Sequence, residues 1–84
     1  MNYKNRATRA ILKRMSPKDA QVYIESFMFP KVHERLLYYL YVKKIKDLLL
    51  ATYALEEEKI FITESKARRI HKEAIVWIAQ TTNT

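Results

Sequence analysis

The chain contains no glycine among its 84 residues. Glycine takes left-handed backbone conformations without steric cost, and phosphate-cradling loops and tight β-hairpin turns depend on it. We therefore expect none of these turns, and no left-handed positions. The two prolines, Pro17 and Pro30, suit the first turn of a helix, where the missing N–H would have had no partner. The sequence predicts an all-α protein, a small domain of three to five helices joined by polar residues.

The charge balance indicates the kind of partner. Sixteen Lys and Arg residues against nine Asp and Glu residues give a formal net charge of +7. In so short a chain this charge attracts polyanions beyond the screening length of roughly 8 Å, and nucleic acid is the commonest such partner.

The lack of cysteine excludes disulfides, a thiolate zinc site and a cysteine nucleophile, and favours the cytoplasm. Charged residues interrupt every apolar stretch, so we expect neither a signal peptide nor a membrane span.

The first third of the chain has helical periodicity. Residues 1–14 are basic and contain no acid, which predicts a basic arm or a short helix. Ser16 stands before Pro17 as an N-cap and should begin the next helix. That helix should end near Phe29, because a residue that precedes a proline avoids the helical conformation. Its expected buried stripe consists of Ala20, Tyr23, Ile24, Phe27 and Met28.

Residues 31–58 carry two overlapping apolar stripes. A break at residues 41–44 would give two helices, which we favour, and one continuous helix is the alternative. Tyr38, Tyr39 and Tyr41 cannot share one buried face, because adjacent helical positions are about 100° apart, so at least one should be exposed. An exposed tyrosine next to Lys43, Lys44 and Lys46 could stack on a base or donate to a phosphate, or it could pack against a second copy of the chain in a homodimer.

Catalytic and metal chemistry have little support in the sequence. His33 and His71 are the only histidines, and no nucleophile, base and orienting group stand at a suggestive spacing. We therefore expect no enzyme, no cofactor and no metal site. We interpret His71 as a half-exposed helix residue near Trp77 rather than a phosphate ligand, and Glu56 to Glu58 as a solvated helix end rather than a cation site.

The segment from Lys59 to Ala79 is the most informative. Thr63 has the form of an N-cap for a helix that should run to Gln80, with residues 81–84 as a frayed tail. The expected apolar stripe of this helix is Ala67, Ile70, Ala74, Trp77 and Ile78, and basic residues face away from it. Such a helix has the form that enters a nucleic-acid groove, where Arg suits guanine and Lys suits phosphate. The candidate nucleic-acid-binding residues are Ser65, Lys66, Arg68, Arg69 and Lys72 on this helix, Lys43 and Lys44 beside the tyrosines, and Arg6 and Arg9 near the N-terminus.

The stretch ITESKARRI at residues 62–70, followed by Lys72 and Ile75, resembles the recognition helix of sigma-factor region 4 and of small phage late-gene regulators of the ArpU/RinA type. Residues 34–49 are similar to the first two helices of those families. The connection over residues 50–61 is longer than the tight turn that those families use. The resemblance covers residues 34–79. It implies a helix-turn-helix in the C-terminal half, in a transcription regulator of a phage or mobile element.

The sequence thus predicts a basic segment 1–14, one helical domain 15–80 and a tail 81–84. The favoured function is that of a DNA-binding transcription regulator with duplex DNA as its partner. One alternative is an RNA-binding protein that uses the basic segment 1–14. The other is a helical protein-binding module, an inhibitor or adaptor, that docks the tyrosine surface on an acidic partner.

Overall fold

The structure, a computed structural model, describes residues 3–82 and is all-α over that range. It contains five α-helices, and α3 continues without interruption into a π-helical segment, Tyr38–Val42. The prediction of an all-α domain with three to five helices is confirmed. The α-helices are α1 (Tyr3–Arg14), α2 (Pro17–Glu25), α3 (Lys31–Leu37), α4 (Leu48–Glu56) and α5 (Glu64–Thr82).

Polar side chains begin three of the helices. Ser16 Oγ accepts a hydrogen bond from the Asp19 amide at 3.2 Å, and Thr63 Oγ1 accepts one from the Lys66 amide at 3.1 Å. Both predicted N-caps are therefore confirmed. Asp47 caps α4 in the same way by accepting from the Leu49 amide at 2.8 Å. These bonds satisfy amides that have no partner within the helix.

Residues 31–58 form two helical stretches, as we favoured, but the break lies at residues 43–47, after Val42. A π-helical turn contains more residues than an α-helical turn, which explains why the break lies later in the chain than predicted. The Lys43 amide donates to Tyr38 O and the Ile45 amide donates to Tyr39 O, each at 3.0 Å, which closes the end of the segment. Lys44 then reverses the chain with a positive φ of 60°.

The expectation that no left-handed position would occur is wrong. Met28, Lys44 and Lys59 have φ values of 54°, 60° and 65°. After α4, the Ile60 amide donates to Leu55 O at 3.1 Å and the Lys59 amide donates to Glu56 O at 3.0 Å. This is the Schellman arrangement, in which glycine normally takes the position of Lys59. At each of these positions the clash of the side chain with the backbone lowers the stability of the folded state by roughly 1 kcal/mol.

The helix that begins at Pro17 ends at Glu25, before the predicted end near Phe29. Ser26 Oγ donates to Tyr23 O at 2.6 Å, and the chain then turns. Because Met28 lies beyond this end, helical periodicity no longer places it on the core side, and 88% of it is exposed. Its inclusion in the buried stripe is wrong. The other predicted members are buried (Ala20, Ile24) or half-buried (Tyr23, Phe27).

The buried side of α5 is rotated from the predicted stripe. Trp77 is 55% exposed, whereas Ile75 and Ala79 are buried. The reason is that α1 packs along α5 and covers the side that carries Ile75. The helix also continues to Thr82, where Thr82 Oγ1 donates to Ile78 O at 2.8 Å. The helix therefore ends two residues later than the predicted Gln80, and residues 83–84 lie outside the described range.

Two hydrophobic clusters hold the helices together, and α5 contributes to both. One is centred on Leu12, Ile24 and Tyr41 and includes the C-terminal half of α5. The other joins Leu36 and Leu55 to the N-terminal half of α5. The long helix is therefore fixed along one side, and its opposite side faces solvent.

An ion pair fixes the turn that leads into α5. Arg35 donates from Nε and Nη2 to the two carboxylate oxygens of Glu58 at 2.8 and 2.7 Å, and the Tyr39 hydroxyl donates to the same carboxylate. These hydrogen bonds, those from Arg35 first, lower the pKa of Glu58 to about 2. The interpretation of residues 56–58 as a solvated end is therefore wrong for Glu58.

None of the three neighbouring tyrosines is exposed. Tyr41 is 3% exposed, while Tyr38 and Tyr39 are half-buried. The guanidinium of Arg35 lies 4.2 Å from the centre of the Tyr38 ring, and Tyr39 hydrogen-bonds to Glu58. The expectation of an exposed tyrosine is wrong, because the fold supplies an internal contact for each of the three. The predicted tyrosine surface for base stacking, homodimerisation or partner docking is not present in this form.

Candidate nucleic-acid interface

The N-terminal half of α5 presents its predicted polar side chains to solvent. Ser65, Lys66, Arg68 and Arg69 are all exposed. Arg68 pairs with Glu64 one turn earlier at 3.5 Å, and both side chains are well exposed, at 66% and 44%. Such a surface pair contributes at most about 0.5 kcal/mol, so a phosphate can displace the carboxylate. Glu58 does not engage these arginines, because it pairs with Arg35.

The cations of α5 do not form a single surface. Residues two positions apart lie about 200° apart around a helix, so Lys66 and Arg68 point to opposite sides. Arg68 and Lys72, four positions apart, share the side that faces α1. Arg69 lies between the two sides and points to solvent. The helix therefore carries two sets of cations: an outward row, Lys66 and Arg69, and a lateral pair, Arg68 and Lys72.

The lateral pair belongs to a continuous concave surface, which we call the basic groove. It consists of two adjoining cavities of about 510 and 760 Å³ that share Arg9, Leu48 and His71. Three segments of the chain each supply two cations, and none of the described residues that line the cavities is acidic. The six cations are Arg9 and Lys13 from α1, Lys44 and Lys46 from the 43–47 connection, and Arg68 and Lys72 from α5.

Local structure explains how these cations come together. Arg9 and Lys13 are one turn apart on α1, and the fully buried Leu12 is part of the cluster that joins α1 to α5. Lys44 Nζ donates to Lys13 O at 3.0 Å and to Met15 O at 2.8 Å, so it caps the C-terminal end of α1. This cap ties the 43–47 connection to α1 and holds Lys46 at the groove.

His71 and Tyr41 form a polar pair in the floor of the groove. Tyr41 Oη and His71 Nε2 share a hydrogen bond of 2.7 Å. Burial lowers the pKa of His71 to about 4, and the positive charges of Arg9 and Lys13 add to this effect. Burial also raises the pKa of Tyr41 to about 12. At neutral pH the pair is uncharged, and His71 faces α1 and Tyr41 rather than Trp77.

No protein-family model, curated protein or solved structure matches this chain. The charge and geometry of the basic groove and of α5 are therefore the basis for a functional proposal.

The predicted site residues divide between the groove and its surroundings. Arg9, Lys44, Arg68 and Lys72 line the basic groove, and Ser65, Lys66 and Arg69 are exposed on α5 beside it. The remaining two are exposed elsewhere: Lys43 Nζ lies 5.8 Å from the centre of the Tyr38 ring, and Arg6 lies on α1.

Two groove lysines were not among the predicted site residues. Lys13 could have been found in the sequence, because it stands one helical turn after Arg9. The sequence places Lys46 only near the tyrosines, because its place in the groove depends on how the 43–47 connection is held against α1.

Within residues 3–82 no group of three His, Asp or Glu residues is placed to hold a metal ion. His33 Nε2 lies 3.1 Å from Glu73 Oε1, away from the basic groove. In the same range, no helix combines the length and apolar character needed to cross a membrane.

Proposed function

We propose that this chain is a small DNA-binding protein that acts as a transcription regulator, with α5 as its recognition helix. The observation that carries the proposal is the basic groove, in which three separate segments direct six cations to one side of an exposed helix. A cleft lined by charges of one sign raises the local concentration of ligands of the opposite charge. A nucleic-acid backbone supplies such charge at regular intervals.

The two sets of cations suit different parts of a duplex. Ser65, Lys66 and Arg69 project from the first turns of α5, where the recognition helices of helix-turn-helix proteins contact base edges. The groove cations lie beside them and suit the phosphates that flank the contacted bases. We propose the first set for sequence recognition and the second for affinity. The resemblance over residues 34–79 extends the proposal to a regulator of phage or mobile-element transcription.

The proposal predicts steep salt dependence. Five to six phosphate contacts correspond to a slope of about −5 for the logarithm of the binding constant against the logarithm of the salt concentration. Fluorescence anisotropy with a labelled duplex, between about 50 and 200 mM salt, measures this slope. An absence of duplex binding at the lowest salt concentration would rule the function out.

A pair of double variants tests the role of α5. Arg68→Ala/Arg69→Ala removes two cations from the recognition helix, and we expect it to weaken duplex binding by about tenfold or more. Lys18→Ala/Lys59→Ala removes the same charge from exposed positions outside the groove and serves as the control. Equal weakening by both would indicate diffuse attraction to net charge and would contradict a recognition role for α5.

Structured RNA is the competing ligand, because the groove cations would also suit an RNA backbone. Competition between a duplex DNA and an RNA hairpin of equal charge distinguishes the two. We expect the DNA duplex to compete more strongly, and a clear preference for the hairpin would replace this proposal with an RNA-binding function.

A further inference from the structure

The basic groove differs chemically between its floor and its rim. The rim carries the six cations, whereas the floor is formed mainly by apolar side chains around the His71–Tyr41 pair. The apolar floor residues are Leu40, Ile45, Leu48 and Ile75. A sugar–phosphate unit matches both parts, since its anionic oxygens suit the rim and its carbon atoms suit the floor. Cavities of this volume are in the range of small-ligand sites.

His71 is the one group in this floor that can change its charge in response to a bound anion at mildly acidic pH. It faces Arg9 and Lys13 from α1, Lys44 and Lys46 from the connection, and Arg68 and Lys72 from its own helix. Its hydrogen-bond partner Tyr41 is neutral, and Glu64 at the edge of the groove pairs with Arg68. The charged groups that line the groove around the imidazole are therefore positive.

We propose that the basic groove is a discrete binding site for the sugar–phosphate backbone of a nucleic-acid strand, and that His71 takes up a proton at mildly acidic pH when phosphate occupies the groove. The identity of the strand as nucleic acid rests on the proposed function. The site itself rests on the groove, the arrangement of its cations and the His71–Tyr41 pair.

Proton uptake follows from the electrostatics of the groove. In the free protein, burial holds the pKa of His71 near 4, and the charges of Arg9 and Lys13 contribute. A phosphate bound between the cations offsets their repulsion and raises the pKa of His71. The protonated imidazole keeps its hydrogen bond, because Nε2–H can donate to Tyr41 Oη, which lies 2.7 Å away. Binding of phosphate and binding of the proton therefore reinforce each other.

The test uses the full chain and an abasic phosphodiester hexamer as the probe. Its phosphodiester groups do not titrate between about pH 4 and pH 8, so any pH dependence in that range belongs to the protein. NMR titration of the histidine ring signals gives the pKa of His71 with and without the hexamer. His33 is an internal control, because it pairs with Glu73 outside the groove. Inorganic tripolyphosphate forms a second arm that represents a free polyanion.

We expect the hexamer to raise the pKa of His71 by at least about one unit and to leave the His33 signals unchanged. A rise of about one unit at His71 corresponds to about twofold tighter hexamer binding at pH 5 than at pH 7. His71→Gln retains a hydrogen-bonding group for Tyr41 and should abolish this pH dependence. An unchanged pKa of His71 at saturating hexamer would overturn the proposal. Stronger binding of tripolyphosphate than of the hexamer would overturn the assignment to a backbone strand.

Charge variants separate a site from general attraction. Lys13→Gln/Lys46→Gln should weaken hexamer binding by about tenfold and reduce the change at His71. The control Lys18→Gln/Lys59→Gln removes equal charge outside the groove and should have a smaller effect. Equal effects of the two double variants would contradict a discrete site.

The two proposals can fail separately. Hexamer binding that moves the pKa of His71, without any duplex binding, would support the groove site and reject DNA recognition by α5. Duplex binding that depends on Lys66 and Arg69, which lie outside the groove, with no effect on His71 and no sensitivity to Lys13 and Lys46, would support DNA recognition by α5 and reject the groove site.

Discussion

At the scale of single residues, the chain places lysine and methionine where most proteins use glycine. Lys59 ends the Schellman arrangement after α4 with a φ of 65°, and Ile60 packs into the same hydrophobic cluster as Leu55. That hydrophobic contact and the hydrogen bonds of the turn hold a backbone that a side chain disfavours. The cost is local and can be removed by substitution.

Lys59→Gly should raise the free energy of unfolding by about 0.5–1 kcal/mol, because glycine takes this conformation without a steric clash. Lys72→Gly is the matched control. It removes the same charge from an exposed position inside α5 and should lower the free energy of unfolding by about 1 kcal/mol. Urea denaturation followed by circular dichroism measures both, and a loss of stability in both variants would contradict the steric explanation.

Arg35 joins α3 to the turn before α5 through a half-buried ion pair. Arg35→Ala should lower the free energy of unfolding by about 2 kcal/mol, because it leaves the Glu58 carboxylate without its two strongest donors. Arg68→Ala removes an arginine from the exposed pair with Glu64 and should change stability by less than about 0.5 kcal/mol.

The stabilisation from Glu58 also has a predictable pH dependence. Its pKa is lowered from 4.5 to about 2 in the folded state, so the pair contributes fully above pH 4.5. The contribution is lost as the pH falls from 4.5 towards 2. The difference in unfolding free energy between the wild type and Arg35→Ala should therefore shrink over that interval, and a constant difference would argue against the pair as its source.

At the scale of helices, the packing of α1 on α5 creates the candidate site. This contact places Arg9 in one cavity with Arg68 and Lys72, and Lys13 in the adjoining cavity with Lys44 and Lys46. Lys44 also caps the end of α1. A basic segment that remained an extended arm would carry the same charges without a groove. The packing of α1 on α5 is therefore what forms the groove from these basic residues.

Leu12→Ala should lower the free energy of unfolding by about 3 kcal/mol, because Leu12 is fully buried in the cluster that joins α1 to α5. It should also weaken hexamer binding, since the cations of α1 lose their position. Ile11→Ala is the control at the neighbouring, exposed position and should change stability by no more than about 0.5 kcal/mol. Thermal unfolding and the hexamer titration measure the two effects. Unchanged hexamer binding by a folded Leu12→Ala variant would show that binding does not depend on the packing of α1.

At the scale of the whole molecule, the concentration of positive charge beside a half-buried histidine links stability to pH. The pKa of His71 is lowered from 6.5 to about 4 on folding. The unfolded chain therefore binds a proton more readily than the folded one as the pH falls below 6.5, and folding stability declines between pH 6.5 and 4. The loss from this one group is on the order of 3 kcal/mol at most and is complete below pH 4.

Replacement of His71 by glutamine should remove this decline, because glutamine does not titrate. His33→Gln, at the histidine outside the groove, is the matched control. The slope of unfolding free energy against pH, measured between pH 7 and pH 4.5, tests the prediction independently of absolute stability. An unchanged slope in the His71→Gln variant would show that another group is responsible.

Features that depend on short-range relations were predictable from the sequence alone. The absence of glycine and the apolar spacing predicted helices, and Ser16 and Thr63 predicted where two of them begin. Each rests on contacts within about one turn of the chain. The cations of α5 were found for the same reason, because their exposure follows from helical periodicity.

The tertiary structure alone decided the features that require contacts between distant segments. The place of Lys46 in the groove, the pairing of His71 with Tyr41 and the burial of the tyrosines depend on residues that lie far apart in the sequence. Lys44 and Lys59 hold left-handed conformations because surrounding packing and hydrogen bonds outweigh a local steric preference. A local sequence pattern specifies which residues share a helix face, but the arrangement of the packed helices determines which charged side chains lie close together.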